Sequence, residues 1–248
     1  MKTLTRHVPH GPLHPARRTA RLALLALGAV LVTSACGQAT PSSGTATPAG
    51  APGAAAPASA PVNQTGTAKG VRLEASMAPG GAGIAAAPGL VVEYSLTNTG
   101  SKPLVAYDVV PDDLGSATLA TGVDPRHAWV YEEAGVLRVS KQGFAPAPNV
   151  RFAAAPVMGG HTVAPGATIT GRAYAATPPK LDVPGDSFTA PRAAVDPGVK
   201  QWQLCIQVDE RAAQARPSAV GGGVVQAASM APEGDELVCT EPASIPVA

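Results

Sequence analysis

Lys200-Gln201-Trp202-Gln203-Leu204-Cys205-Ile206-Gln207-Val208 is the stretch that decides the fold class. Lys200, Trp202, Leu204, Ile206 and Val208 fall on one side of an extended chain, and Gln201, Gln203 and Gln207 on the other. Successive side chains of a strand point to opposite faces, so the pattern describes a strand with one apolar face. A helix would scatter the same residues around its circumference. Trp202 is therefore expected in a core. Cys205 is expected on the glutamine side, away from it.

The same period of two recurs outward from this stretch. Val71, Leu73, Ala75 and Met77 alternate with Arg72, Glu74 and Ser76. Leu90, Val92, Tyr94 and Leu96 alternate with Val91, Glu93, Ser95 and Thr97, before Asn98-Thr99-Gly100 turns the chain. Residues 103–110 read as a third strand, and 128–132 with 136–141 as a hairpin around Glu133-Ala134-Gly135. Ala164-Pro165-Gly166 introduces a strand through 168–175, and 224–229 and 236–240 complete the set. Alternating short strands separated by turn residues predict an all-β antiparallel sandwich, one face of each sheet buried. The stretches 144–160 and 177–198 read as long loops, with proline limiting strand pairing there.

The run Val92-Glu93-Tyr94-Ser95-Leu96-Thr97-Asn98-Thr99-Gly100-Ser101-Lys102-Pro103-Leu104 resembles the strand–turn–strand of bacterial immunoglobulin-like envelope domains. Val163-Ala164-Pro165-Gly166-Ala167 is similar to the turn before a closing strand in those domains. The resemblance implies an immunoglobulin-like β-sandwich. It carries no catalytic residue.

Toward the N-terminus the character of the chain changes. Lys2, Arg6, Arg17, Arg18 and Arg21, with no acid among them, precede an apolar run from Leu22 to Val32. The run is shorter than the roughly 20 residues of a membrane-spanning helix and suits the core of an export signal. Val32-Thr33-Ser34-Ala35-Cys36 then resembles the lipobox of bacterial lipoprotein precursors. That resemblance implies removal of residues 1–35 and acylation of Cys36. The protein is then expected on the extracytoplasmic side of a bacterial membrane, either the cell membrane or an outer membrane where one exists. Stable attachment takes more than one acyl chain, which the modification supplies. The other reading is a plain secreted protein cut near Ala35. Residues 36–69, rich in Ala, Pro, Gly and Thr, cannot bury enough apolar area to offset ordering, and read as a disordered tether. The domain is expected over 70–248.

Charge and cysteines are best counted after Cys36. The segment before it holds five of the 18 basic residues and none of the 17 acids, leaving 13 against 17, a net charge of −4. A mildly acidic chain with no basic patch argues against nucleic acid as a partner. Cys36 takes lipid, and Cys205 and Cys239 remain to pair in an oxidising compartment.

Candidate chemistry is sparse. His127, Trp129 and Tyr131 share one side of a strand and, if exposed, could stack on the sugar rings of a cell wall; buried, they are core. Asp108, Asp112, Asp113 and Asp124 gather around the end of the third strand, and loop carboxylates are common calcium ligands, although no D-x-D-x-D-G spacing is present. Met158-Gly159-Gly160-His161 offers one thioether and one imidazole to a soft metal. No nucleophile elbow, zinc helix or phosphate loop occurs in the sequence. The expectation is a non-catalytic binding or scaffolding protein of the envelope, without a cofactor, whose partners are the membrane and a cell-wall or envelope protein component. An envelope hydrolase using His127 or His161, a carbohydrate-binding module and a cation-binding protein are the alternatives.

Overall fold

A computed structural model describes residues 62–68, 70–80, 88–228 and 235–246. The strands in chain order are β1 (Val62–Ala68), β2 (Val71–Gly80), β3 (Gly89–Asn98), β4 (Leu104–Val109), β5 (Trp129–Glu133), β6 (Val136–Lys141) and β7 (Val157–Val163). They continue with β8 (Thr168–Ala176), β9 (Gln201–Asp209), β10 (Arg216–Pro217), β11 (Val225–Ala228), β12 (Asp235–Cys239) and β13 (Ala243–Ser244). Among the described residues the one helical segment is a single 3-10 turn, Ala212–Gln214. The fold is an all-β sandwich.

One sheet has four antiparallel strands in the order β1-β2-β3-β8. The other runs β10-β11-β7-β4-β9-β6-β5, with β12 and β13 also on β9. Purely antiparallel pairing is expected from the sequence; β6 and β9 instead run parallel, from Val136↔Gln201 to Lys141↔Ile206. β6 arrives from the β5–β6 hairpin, whose turn residues Ala134 and Gly135 have φ of 52° and 78°. Positive φ at both positions matches the tight turn that strand twist favours. β4 pairs antiparallel with β9 at Val105↔Asp209 and Ala106↔Val208. β4 and β6 thus share one edge of β9 end to end, while β12 and β13 take the other.

The main core lies between the sheets. It contains the alternating sets read from sequence: Val71, Leu73, Ala75 and Met77; Leu90, Val92, Tyr94 and Leu96; Trp202, Leu204, Ile206 and Val208. A second core covers the far face of the larger sheet, built from Val105, Tyr107, Trp129, Tyr131, Met158 and Phe188. These residues alternate with Leu104, Ala106, Ala128 and Val130 of the main core, so at β4 and β5 both faces of that sheet carry buried apolar residues. The roof comes from the long loops, whose Phe144, Phe152 and Val183 pack onto it. Val130 and Asp182 exchange backbone hydrogen bonds of 2.7 and 2.8 Å, which closes the outer edge of β5.

Three expectations are corrected here. The glutamine side of β9 is not uniformly solvated: Gln201 is exposed, but Gln203, Cys205 and Gln207 are buried. β1, at Val62–Ala68, occupies part of the stretch assigned to a tether. β1 lacks an apolar alternation, and Gly66 explains its placement. A Cβ there would collide with the carbonyl of Cys239, so glycine lets β1 pack against the larger sheet. Thr65 also accepts a 3.2 Å hydrogen bond from Glu241 N. Finally, the stretch read as a loop over 144–160 contains the start of β7. Its Gly160 sits directly against the Ala106 carbonyl, where β4 has a bulge between Ala106 and Val109. Close backbone approach, not side-chain pattern, defines that strand.

Candidate functional site

β5 carries the aromatic row. Trp129 and Tyr131 are 1% and 4% exposed, so the row does not offer the solvent-facing platform that sugar stacking requires. The reason is local: Phe144 meets both rings edge-on, at 6.4 and 6.2 Å between centroids. Trp129 Nε1 donates to the Gln142 carbonyl at 2.8 Å, and Gln142 Nε2 donates to the Tyr131 hydroxyl at 3.0 Å. Trp129 and Tyr131 are core residues with satisfied polar tips.

His127, at the open end of the row, lines a cleft of about 400 Å³ with Asp112, Asp124, Arg126, Lys180 and Asp182. Its ring stands edge-on to Trp129 at 4.8 Å. Nδ1 lies 3.3 Å from the Val110 carbonyl and 3.8 Å from Asp112 Oδ1, and Nε2 lies 3.8 Å from Asp182 Oδ2. Burial opposes the charged ring, but Asp182, the Val110 carbonyl and Asp112 together hold its pKa above the ordinary value. Among the described residues no serine, threonine or cysteine lines the cleft.

The four aspartates do not converge. Asp108 is buried and accepts from His161 Nδ1, 2.9 Å from each carboxylate oxygen. Asp124 is forked by Arg126 through Nε and Nη2, both at 2.8 Å. Asp113 accepts from the Gly115 amide at 2.9 Å, and Asp112 is exposed beside His127. Among the described residues no group of three or more His, Cys, Asp or Glu side chains could hold a metal. The calcium reading for Asp108, Asp112, Asp113 and Asp124 therefore has no geometric basis. The soft-metal pair fails likewise: Met158 is buried in the second core, and His161 is committed to Asp108.

A buried ionic node, not anticipated from sequence, joins these elements. Lys141, the last residue of β6, is 0% exposed and lies where the edge of β9 passes from β6 to β4. Its Nζ donates to the carbonyls of Asp108 (2.8 Å) and Pro125 (2.6 Å), the two ends of the β4–β5 connection. The ammonium also sits 5.7 Å from the centre of the Tyr94 ring. Burial pushes the Lys141 pKa down to about 8, partly offset by Asp108 and Asp124. Burial and Asp108 raise the Tyr94 phenol well above its ordinary value. The Asp108 carboxylate holds the His161 imidazole above its ordinary value, against burial. Strict alternation with Leu137 and Val139 places Lys141 on the core face, so parity carried the signal.

Cys205 and Cys239 form the disulfide, directly opposite each other on β9 and β12. They lie 34 residues apart, and closing such a loop contributes roughly 3–4 kcal/mol in the chain-entropy model. Further along the same pair of strands, Arg211 bridges Asp209 and Asp235. Burial and Asp209 push the Asp235 pKa up to about 6, against Arg211 and Gln207. Cys36 lies outside the described residues, as do residues 1–61 generally.

Comparison with protein-family models, with curated proteins and with solved structures found no match for this chain.

Proposed function

We infer that this is an extracytoplasmic lipoprotein whose β-sandwich binds or scaffolds in the cell envelope without catalysing a reaction. The observation that carries the reading is the division of the cysteines. Cys205 and Cys239 bond to each other within the domain, which suits an oxidising compartment, and Cys36 is left at the end of an export-type segment. The lipobox resemblance gives that third thiol a role as the acylated N-terminus. The immunoglobulin-like resemblance fits a domain held out for contact.

The non-catalytic part rests on the His127 cleft. An imidazole between two carboxylates can hold a proton, but acyl or phosphoryl transfer through a covalent intermediate also needs a nucleophile. Among the described residues no serine, threonine or cysteine lines that cleft, so no Ser–His or Cys–His pair forms there, although Asp112, Asp124, Tyr174, Lys180 and Asp182 do line it.

The test is metabolic labelling with an alkyne fatty acid, with fractionation, in cells producing the wild type or Cys36→Ala. Labelled, membrane-bound wild type and an unlabelled, released variant are expected. Equal release of both proteins would overturn the anchor. In-cell crosslinking of the same pair then identifies the contacts that depend on attachment.

A further inference from the structure

We propose that the Cys205–Cys239 bond is a thiol–disulfide exchange site, attacked at Cys239 by an external dithiol, with Cys205 departing as a thiolate received by Arg138 and Gln203. Arg138 Nη1 donates to Cys205 Sγ at 3.4 Å and to Cys239 Sγ at 3.3 Å. Gln203 Nε2 donates to Cys205 Sγ at 3.5 Å. Both donors reach the same sulfur on the face of the larger sheet opposite Leu204 and Ile206.

A sulfur without charge is a weak acceptor, so a guanidinium turned onto a disulfide gains little from it. Arg138 Nε is, moreover, buried with no hydrogen-bond partner among the described residues. Its Nη2 is paired at 2.7 Å with Glu133, which approaches from the solvent side. The donor set is thus poorly matched to the bond and well matched to the anion that forms when the bond breaks. Positive charge beside a cysteine favours its thiolate, and a better thiolate is a faster leaving group. Burial of Cys205 works in the opposite direction, and Arg138 is the group that counters it.

Exposure sets the direction. Cys205 is fully buried, whereas Cys239 is only half-buried on β12, so an incoming sulfur meets Cys239 first. The external thiolate forms a bond to Cys239 Sγ, and the electron pair of the Cys205–Cys239 bond leaves on Cys205. The second thiol of the external dithiol then attacks its own sulfur in the mixed disulfide and frees Cys239. Two electrons pass to the protein, the dithiol becomes a disulfide, and the two cysteines take up the two protons it gave. The backbone pairing of β12 on β9, from Asp235↔Asp209 to Cys239↔Cys205, needs no bond between the sulfurs.

The measurement is the rate at which dithiothreitol reduces the folded, oxidised chain, followed by alkylation and peptide mass spectrometry, with Cys36 read as its own peptide. Arg138→Gln is expected to slow reduction by about tenfold. Glu133→Gln, which leaves the guanidinium without its carboxylate, is expected to speed it. Glutathione trapped as a mixed disulfide is expected on Cys239. Equal rates in all three proteins, or trapping on Cys205, would overturn the proposal. If circular dichroism shows that Arg138→Gln does not fold, Glu133→Gln decides alone: a rate at or below wild type overturns it. None of these outcomes depends on acylation of Cys36.

Discussion

Lys141 puts an ammonium group at a fully buried position. A base whose folded pKa lies below its unfolded value disfavours folding while it is protonated. From its value of about 8 up to the ordinary 10.5, the unfolded chain binds more protons, so this residue makes stability rise with pH. Its full span is on the order of 3 kcal/mol. Tyr94 has the opposite sign: its raised pKa makes stability fall from the ordinary value of 10 upward until pH reaches the folded value, which separates the two above pH 10. Urea denaturation between pH 8 and 10 is therefore expected to show a rising stability in the wild type and a flatter one in Lys141→Met. His161 obeys the rule for a raised base. Its contribution is present below the ordinary value of 6.5 and is lost as pH rises through the folded pKa. In Asp108→Asn, the NMR titration midpoint of His161 is expected to fall, while that of His127, which has other partners, stays in place.

At the scale of single strands, side-chain alternation and backbone contact are different kinds of information. β2, β3 and β9 were legible because their inward residues are large and apolar and their outward ones polar. β1 and β7 were not, because what fixes them is the absence of a side chain at Gly66, Gly159 and Gly160. A glycine in a sequence does not say which backbone it will touch. Gly160→Ala is expected to destabilise by about 3 kcal/mol, since its Cβ would meet a main-chain carbonyl that cannot rotate away. Gly122→Ala, with open space around it, is the control and is expected to be close to neutral by the same denaturation assay. The candidate site divides in the same way. His127 was found from its stripe, but its carboxylate neighbours Asp112 and Asp182 come from two separate connections that only the fold brings together.

For the whole molecule, the long connections decide the layering. Read as loops on an ordinary sandwich, 144–160 and 177–198 were surplus; in the fold their Phe144, Phe152, Leu181, Val183 and Phe188 form an outer layer that packs with Trp129 and Tyr131. Alternation along one strand cannot reveal that its polar side will also be covered. The N-terminal boundary shifts for a related reason. β1 belongs to the smaller sheet yet touches β12 and the residues after it through Gly66 and Thr65. A chain starting at Gly70 is expected to melt several degrees below one starting at Val62, because it loses an edge strand and one of the contacts between the two sheets. Scanning calorimetry of the two proteins measures the difference.

The position of β9 also dictates a schedule. A chain emerging N-terminus first, whether from a ribosome or a translocation pore, delivers β2, β3 and the β5–β6 hairpin early. β6 must then wait until residues 201–206 appear before it gains its second neighbour. Until then, edges of β4 and β6 stand open with apolar residues on both faces. The larger sheet is completed almost last, with β12 and its cysteine following β9. An interruption before residue 200 would leave a nascent protein that holds all four strands of the smaller sheet but lacks β9, the axis of the larger sheet, a stage exposed to aggregation.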